Sequence, residues 1–174
     1  PFMEFFLETV YECYDIAVWS QTHWQWVEIK LVELGILNHP RFKICFYLDK
    51  TSMFRSFTDK QYLKPLDIIW SKYPLLWGKH NTLHIDDLDR NFALNKQNGI
   101  LVTAYYRTDR EKKRRAALES EAEEMKTWAG FTNREFGESE ELVALASYLL
   151  DQKAVADVSS IDHSRWKLKM HMKI

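Results

Sequence analysis

Four short apolar runs, at residues 16–19, 42–48, 82–85 and 100–102, are separated by stretches of helical or polar character. This alternation restricts the fold more than any other feature of the chain. Residues 16–19 read Ile-Ala-Val-Trp, with no polar position, which suits a short strand buried in a parallel sheet. Before it, Phe2, Phe5, Phe6, Thr9, Val10 and Cys13 recur at helical spacing, and Pro1 suits a first helical turn. After it, Trp26, Ile29, Val32 and Leu34 mark a second helix, with Thr22 as its expected N-cap and Gly35 as its stop. Residues 49–62 are polar and read as a loop or small hairpin, and 68–73 as a short helix. Asn98-Gly99 marks a turn. Ser139 is placed to cap a helix over 140–150, and a last helix is expected near 162–170. Strands alternating with helices predict an α/β fold, a parallel sheet flanked by helices on both faces. Such sheets bind ligands beyond the carboxyl ends of their strands. Ser20 and the pair Asp86-Asp87 each follow a strand, with Lys64 in the loop region between them.

The 174 residues suffice for one compact domain, and a net charge of −1 selects neither nucleic acid nor a membrane surface. No apolar stretch approaches the roughly 18 residues of a membrane span. Cys13 and Cys45 lie in apolar runs and read as reduced core thiols. Trp24, Trp26, Trp70 and Trp77 also read mostly as core, from their helical periodicity. His80 and His84 are four apart, but 82–85 reads as a strand, which separates them as metal ligands. His23 reads as an exposed helical residue next to the expected site. The run Arg110-Glu111-Lys112-Lys113-Arg114-Arg115 suits a nuclear import signal or a phosphate-backbone patch. Glu119, Glu121, Glu123 and Glu124 balance it, so a solvated helix face is the plainer reading, and nucleic acid is not an expected partner.

Each candidate residue has a chemical reading beside a structural one. Asp86 and Asp87 can offer hard oxygen ligands to Mg²⁺, or can cap the turn that follows. Ser20 can donate to a phosphate oxygen, helped by N–H groups at the start of the next helix, or can serve as a cap. Lys64 can neutralise a phosphoryl oxygen as a point charge, or can be an ordinary surface lysine.

Order and context join the three. Trp19-Ser20-Gln21-Thr22, Leu63-Lys64-Pro65-Leu66 and Ile85-Asp86-Asp87-Leu88-Asp89-Arg90-Asn91-Phe92, with Asn95-Lys96-Gln97-Asn98-Gly99, resemble the second, third and fourth motifs of the haloacid dehalogenase superfamily. More narrowly they resemble its phosphatases of the RNA polymerase II C-terminal domain (CTD), and among these the branch that carries a ubiquitin-like domain. The resemblance spans residues 1–107 well, takes in Trp166, and is loose elsewhere; 108–137 reads as a charged helical insertion.

The resemblance implies a haloacid-dehalogenase-like fold and Mg²⁺-dependent dephosphorylation of phosphoserine or phosphothreonine. It implies Ser20 as phosphate binder, Lys64 as charge stabiliser, and Asp86 with Asp87 as metal ligands. It further implies phosphoprotein substrates, a nuclear setting, and docking on the proteasome through a ubiquitin-like domain that is not in this chain. In that family an Asp-x-Asp-x-Thr motif on an earlier strand supplies the nucleophile, through an aspartyl-phosphate, and the acid/base. The chain's Asp-x-Asp, Asp87-Leu88-Asp89, lies after Lys64 and is followed by Arg90 and Asn91, so it does not match. The expectation is therefore the C-terminal portion, 1–174, of a single phosphatase domain incomplete at its N-terminus. It should be inactive alone and carry a gap where a central strand belongs. Two other readings are a phosphopeptide-binding module without turnover and a nucleic-acid binder using residues 110–115.

Overall fold

The computed structural model describes residues 2–58, 60–105 and 140–171. The basic run 110–115, the insertion expected at 108–137 and the cap expected at Ser139 lie outside them.

Helix α1 (Met3–Tyr11) leads into strand β1 (Ile16–Trp19), then helix α2 (Trp24–Glu33) and strand β2 (Ile44–Leu48). A hairpin of β3 (Phe54–Arg55) and β4 (Tyr62–Leu63) follows, then the short helix α3 (Asp67–Lys72). Strands β5 (His84–Asp86) and β6 (Gly99–Leu101) come next, and helices α4 (Glu141–Gln152) and α5 (Trp166–His171) close the described order. The architecture is α/β, as expected. β1 pairs parallel with β2, and β5 pairs parallel with β6, while β3 and β4 are antiparallel. Among the described residues these are three separate pairs and not one continuous sheet. No described helix is long and apolar enough to cross a membrane.

Two apolar cores hold these elements. One gathers Val10, Ile100, Leu145, Tyr148, Leu149 and Trp166, and the other Val27, Leu31, Ile36 and Phe42. α1 serves both, with Phe6 and Val10 toward the first and Met3, Leu7 and Tyr11 toward the second. α2 ends as expected: Gly35 takes φ +69°, and the Ile36 N–H returns to the Leu31 carbonyl at 2.8 Å. A side chain at that φ would be strained, which is why glycine stands there. α2 buries Val27 and Leu31, so Trp26, on its far side, is 61% exposed, and Trp24 is exposed as well. Periodicity alone could not separate two apolar faces of one helix, and the expectation of core tryptophans fails at these two. Cys13 and Cys45 are free and exposed, so they are not core thiols.

His163 is a buried polar anchor of the first core. The Tyr148 hydroxyl donates to its Nδ1 (2.7 Å), and its Nε2–H donates to the Val158 carbonyl (2.8 Å). Burial pushes the Tyr148 pKa up to about 12, so the phenol keeps its proton to donate. Burial also holds the His163 pKa below its ordinary value, because a charged ring would lose its hydration. A depressed histidine pKa means that the folded state binds fewer protons than the unfolded one. Stability is therefore full above about pH 6.5, the unfolded value, and falls as pH drops toward the folded value. Unfolding midpoints between pH 7.5 and 5 should fall for the natural chain, and His163→Gln should flatten that slope. A slope unchanged by the substitution would assign the pH dependence to another group.

Candidate active site

Lys64 and Asp86 meet directly. β4 ends at Leu63, and the Lys64 N–H is held by the Asn91 carbonyl at 3.0 Å, which fixes where the lysine stem starts. Its Nζ donates to Asp86 Oδ2 at 2.5 Å. Asp86 is the last residue of β5, and its other oxygen accepts from the Leu88 N–H (2.9 Å) and from Asn91 Nδ2 (2.8 Å). His84 Nε2 stands 3.6 Å from Oδ2. Both partners are buried, at 7% and 8% exposure. Burial pushes the Asp86 pKa up, but the bonds from His84 and Lys64, the lysine charge and Asn91 outweigh that and hold it well below the usual carboxylate range. The pair is thus an ionised, desolvated couple. Asp86 caps the turn that follows through the Leu88 N–H and also pairs with Lys64, which is no ordinary surface lysine.

Neighbours clamp it from two sides. Asn95 Oδ1 accepts the Leu66 N–H at 2.9 Å, and its Nδ2 reaches Asp67 at 3.2 Å. Asn91 and Asn95, four apart, therefore tie the Lys64-Pro65-Leu66 segment to the turn after β5. A Cβ on Gly99 would lie 2.3 Å from the Phe92 ring, so only glycine lets β6 pass beneath Phe92. Phe92 in turn meets the His84 ring edge to face at 5.6 Å. His84 is buried in β5 whereas His80 is exposed in the turn Lys79–Asn81, so the two share no ligand position. Glu4, Glu8 and His39 also converge, but Arg41 bridges to Glu8 at 2.5 Å and to Glu4 at 3.4 Å, which explains the cluster as ion pairs.

Ser20 belongs to the other strand pair. Its N–H donates to the Leu48 carbonyl (2.9 Å), and its Oγ accepts the Thr22 N–H (3.2 Å) and lies 2.9 Å from Thr22 Oγ1. The Thr22 side chain is used there and does not cap α2. His23 occupies the N-cap position without a side-chain bond, and is half-buried. The Trp24 N–H goes instead to Asp49 Oδ2 at 2.9 Å. The first N–H of α2 is thus taken by a carboxylate, and the help expected from it for a phosphate is not offered by that group.

A cavity of about 450 Å³ lies between the two halves. All four residues of β1 line it, as do Leu83, His84 and Ile85 at β5. Cys45, Phe46 and Leu48 of β2 line it as well. β1 is paired with β2, and β5 with β6. Phe6, Val10 and Leu149 close the cavity on the side of α1 and α4, and Leu66, Ile69 and Trp77 also border it. Lys64 lines it too, as does Trp19, the neighbour of Ser20.

The family model of NLI interacting factor-like phosphatases matches residues 1–133. The chain belongs to that family. It is 35% identical over 170 residues to the ubiquitin-like domain-containing CTD phosphatase of Arabidopsis thaliana, covering 96% of this chain and 43% of the relative. Identity is 33% to ubiquitin-like domain-containing CTD phosphatase 1 of Xenopus laevis and 31% to that of Homo sapiens, each over 96% of this chain and 46% of the relative. The chain thus spans less than half the length of these relatives. Within an NLI interacting factor-like phosphatase, the residues that sequence reasoning missed are Asn91 and Asn95 as clamps and Asp49 as a cap. The four-residue spacing of the two asparagines was a usable signal. So was Asp49-Lys50-Thr51, because an aspartate two residues before a hydroxyl favours a tight local turn.

Proposed function

We propose that this chain is the larger portion, 1–174, of a protein serine/threonine phosphatase domain of haloacid-dehalogenase type, working within a longer protein. The observation that carries the reading is the buried Lys64–Asp86 pair beside a cavity lined by β1, β2 and the start of β5. The family and the names of its relatives support it. An extended segment of the full-length protein would complete the sheet between β1 and β5, and a carboxylate nucleophile at its end would meet the Lys64 ammonium. Lys64 then balances the charge of a transferring phosphoryl group, Ser20 donates to one of its oxygens, and Asp86 holds the lysine in place.

Asp86 and Asp87 are the protein ligands for Mg²⁺ that this chain would supply. Asp86 accepts from Lys64, Asn91 and the Leu88 N–H, and Asp87 is half-buried at the strand end, where a hard cation keeping several waters would bind. When bound, Mg²⁺ would orient the phosphate and neutralise part of its charge. Phosphoproteins are the proposed substrates, with the CTD of RNA polymerase II or the nuclear proteasome as the sites of action, and the nucleus is the proposed location. The proteasome is the proposed partner of a ubiquitin-like domain elsewhere in the full-length protein.

Phosphate release from p-nitrophenyl phosphate with Mg²⁺, by this chain and by the full-length gene product, tests the reading. The full-length protein should turn over, this chain should not, and Asp87→Asn should raise the Mg²⁺ requirement about tenfold or more. A full-length protein that binds phosphopeptide without releasing phosphate would sink the enzyme reading and leave the binding module.

A further inference from the structure

Asp49 is a buried carboxylate one residue beyond β2 that the chemistry above does not use. Its Oδ2 accepts the Trp24 N–H at 2.9 Å. Its Oδ1 accepts the Thr51 N–H at 2.9 Å and the Thr51 hydroxyl at 2.5 Å. Backbone bonds flank it on both sides: Ser20 N–H to the Leu48 carbonyl at 2.9 Å, and Lys50 N–H to the Thr22 carbonyl at 3.0 Å. Three successive residues, 48, 49 and 50, therefore grip the segment from Ser20 to Trp24 at its start, its end and its middle.

An ordinary N-cap is local: the residue before the helix turns its own side chain onto the first N–H groups. Here the capping oxygen comes from 25 residues away, on the neighbouring strand. It registers the start of α2 against the end of β2, and the turn between Ser20 and α2 has no freedom to slide. We infer that Asp49 is a positioning residue for the Ser20 hydroxyl, acting through Thr22 and the start of α2. The inference rests on the reading of Ser20 as a phosphate-binding residue. The bonds from Thr51 hold the Asp49 carboxyl below its usual range, so it keeps its acceptors through neutral pH. Thr22 is the link: its carbonyl is held by Lys50, and its Oγ1 lies 2.9 Å from Ser20 Oγ. When Asp49 is lost, the α2 start is released at Trp24, the backbone bonds at Ser20 and Thr22 alone hold the turn, and the Thr22 hydroxyl no longer fixes Ser20 Oγ as closely.

The test is a double-mutant cycle on the full-length gene product, with p-nitrophenyl phosphate as substrate and KM and kcat read separately. Ser20→Ala and Asp49→Ala should each raise KM about tenfold and leave kcat within about threefold, because both remove binding and not chemistry. Combined, they should cost no more than Ser20→Ala alone, since Asp49 acts through the hydroxyl that is already gone. Asp49→Asn keeps one acceptor oxygen and should fall between the natural protein and Asp49→Ala. If Asp49→Ala does not fold, Thr51→Val removes one of the bonds on Asp49 and should show a smaller KM rise with the same coupling. Full multiplication of the two effects would overturn the role of Asp49, and so would an unchanged KM in Asp49→Ala. An unchanged KM in Ser20→Ala would instead bring down the reading of Ser20, and this inference with it.

Discussion

Replacing Lys64 by alanine should destabilise the fold by about 3–5 kcal/mol, because it strands a buried carboxylate without its cation. The cost exceeds that of a surface pair since both side chains are sealed from water, at 8% and 6% exposure. Of what remains around Asp86, Asn91 and the Leu88 N–H are neutral donors and His84 Nε2 stands 3.6 Å away, so nothing left matches the close contact of the lysine charge. The loss should depend on pH. Asp86 has a folded pKa below its unfolded value of about 3.9, so its contribution is complete above about pH 4 and fades as pH falls through the folded value. Urea unfolding at pH 7 should separate the variant widely from the natural chain, and the gap should narrow near pH 3. Lys64→Met with Asp86→Asn should recover part of the loss, because the new amide oxygen can still accept from Leu88. In the full-length protein, for which we propose phosphatase activity, Lys64→Ala should also lower kcat by about 10²–10³-fold, the range for losing one preorganised charge partner of a transition state. The paired variant, which restores stability but supplies no charge, should not restore kcat. Recovery of both together would mean that Lys64 is structural only.

Trp166→Ala should be about as damaging to stability with no direct part in chemistry. The indole is 1% exposed, and its Nε1–H donates to the Leu101 carbonyl at 2.8 Å, which ties α5 to the end of β6. Its ring lies 5.9 Å from that of Tyr148 in the centre of the first core. Deleting a buried tryptophan costs about 3–5 kcal/mol from lost packing and the cavity left behind. The stranded carbonyl adds about 1–3 kcal/mol unless water enters. Trp166→Phe keeps most of the ring and loses the hydrogen bond, so it should cost distinctly less. Melting midpoints of the three proteins decide it: equal losses for alanine and phenylalanine would mean that the hydrogen bond alone holds α5 in place.

Features encoded within a few residues were readable from sequence. β1 occupies residues 16–19 as its unbroken apolar run predicts, and Gly35 ends α2 as its position predicts. Lys64 and Asp86 were picked out by motif order, although a lone lysine and a lone aspartate carry little weight. Long-range pairings were not readable. Nothing within α2 announces that its first N–H belongs to Asp49, and nothing near Lys64 announces an acid 22 residues on as its partner. Thr22 had the right chemistry for a cap, but its hydroxyl found Ser20 first. Trp24 and Trp26 failed as core residues because periodicity reports that a helix is apolar, not which apolar side has a neighbour.

One helix sits in both apolar cores. α1 sends Val10 and Phe6 into one cluster and Met3, Leu7 and Tyr11 against the other. The two parallel strand pairs share no backbone ladder, so side chains join them: α1, Ile16 and Val18 of β1, and Trp77 with Phe46 and Asp15. A helix claimed by two cores cannot leave one without loosening the other. It therefore helps to couple two cores that would otherwise melt at their own temperatures, and the first eleven residues carry part of the cooperativity of unfolding in this domain.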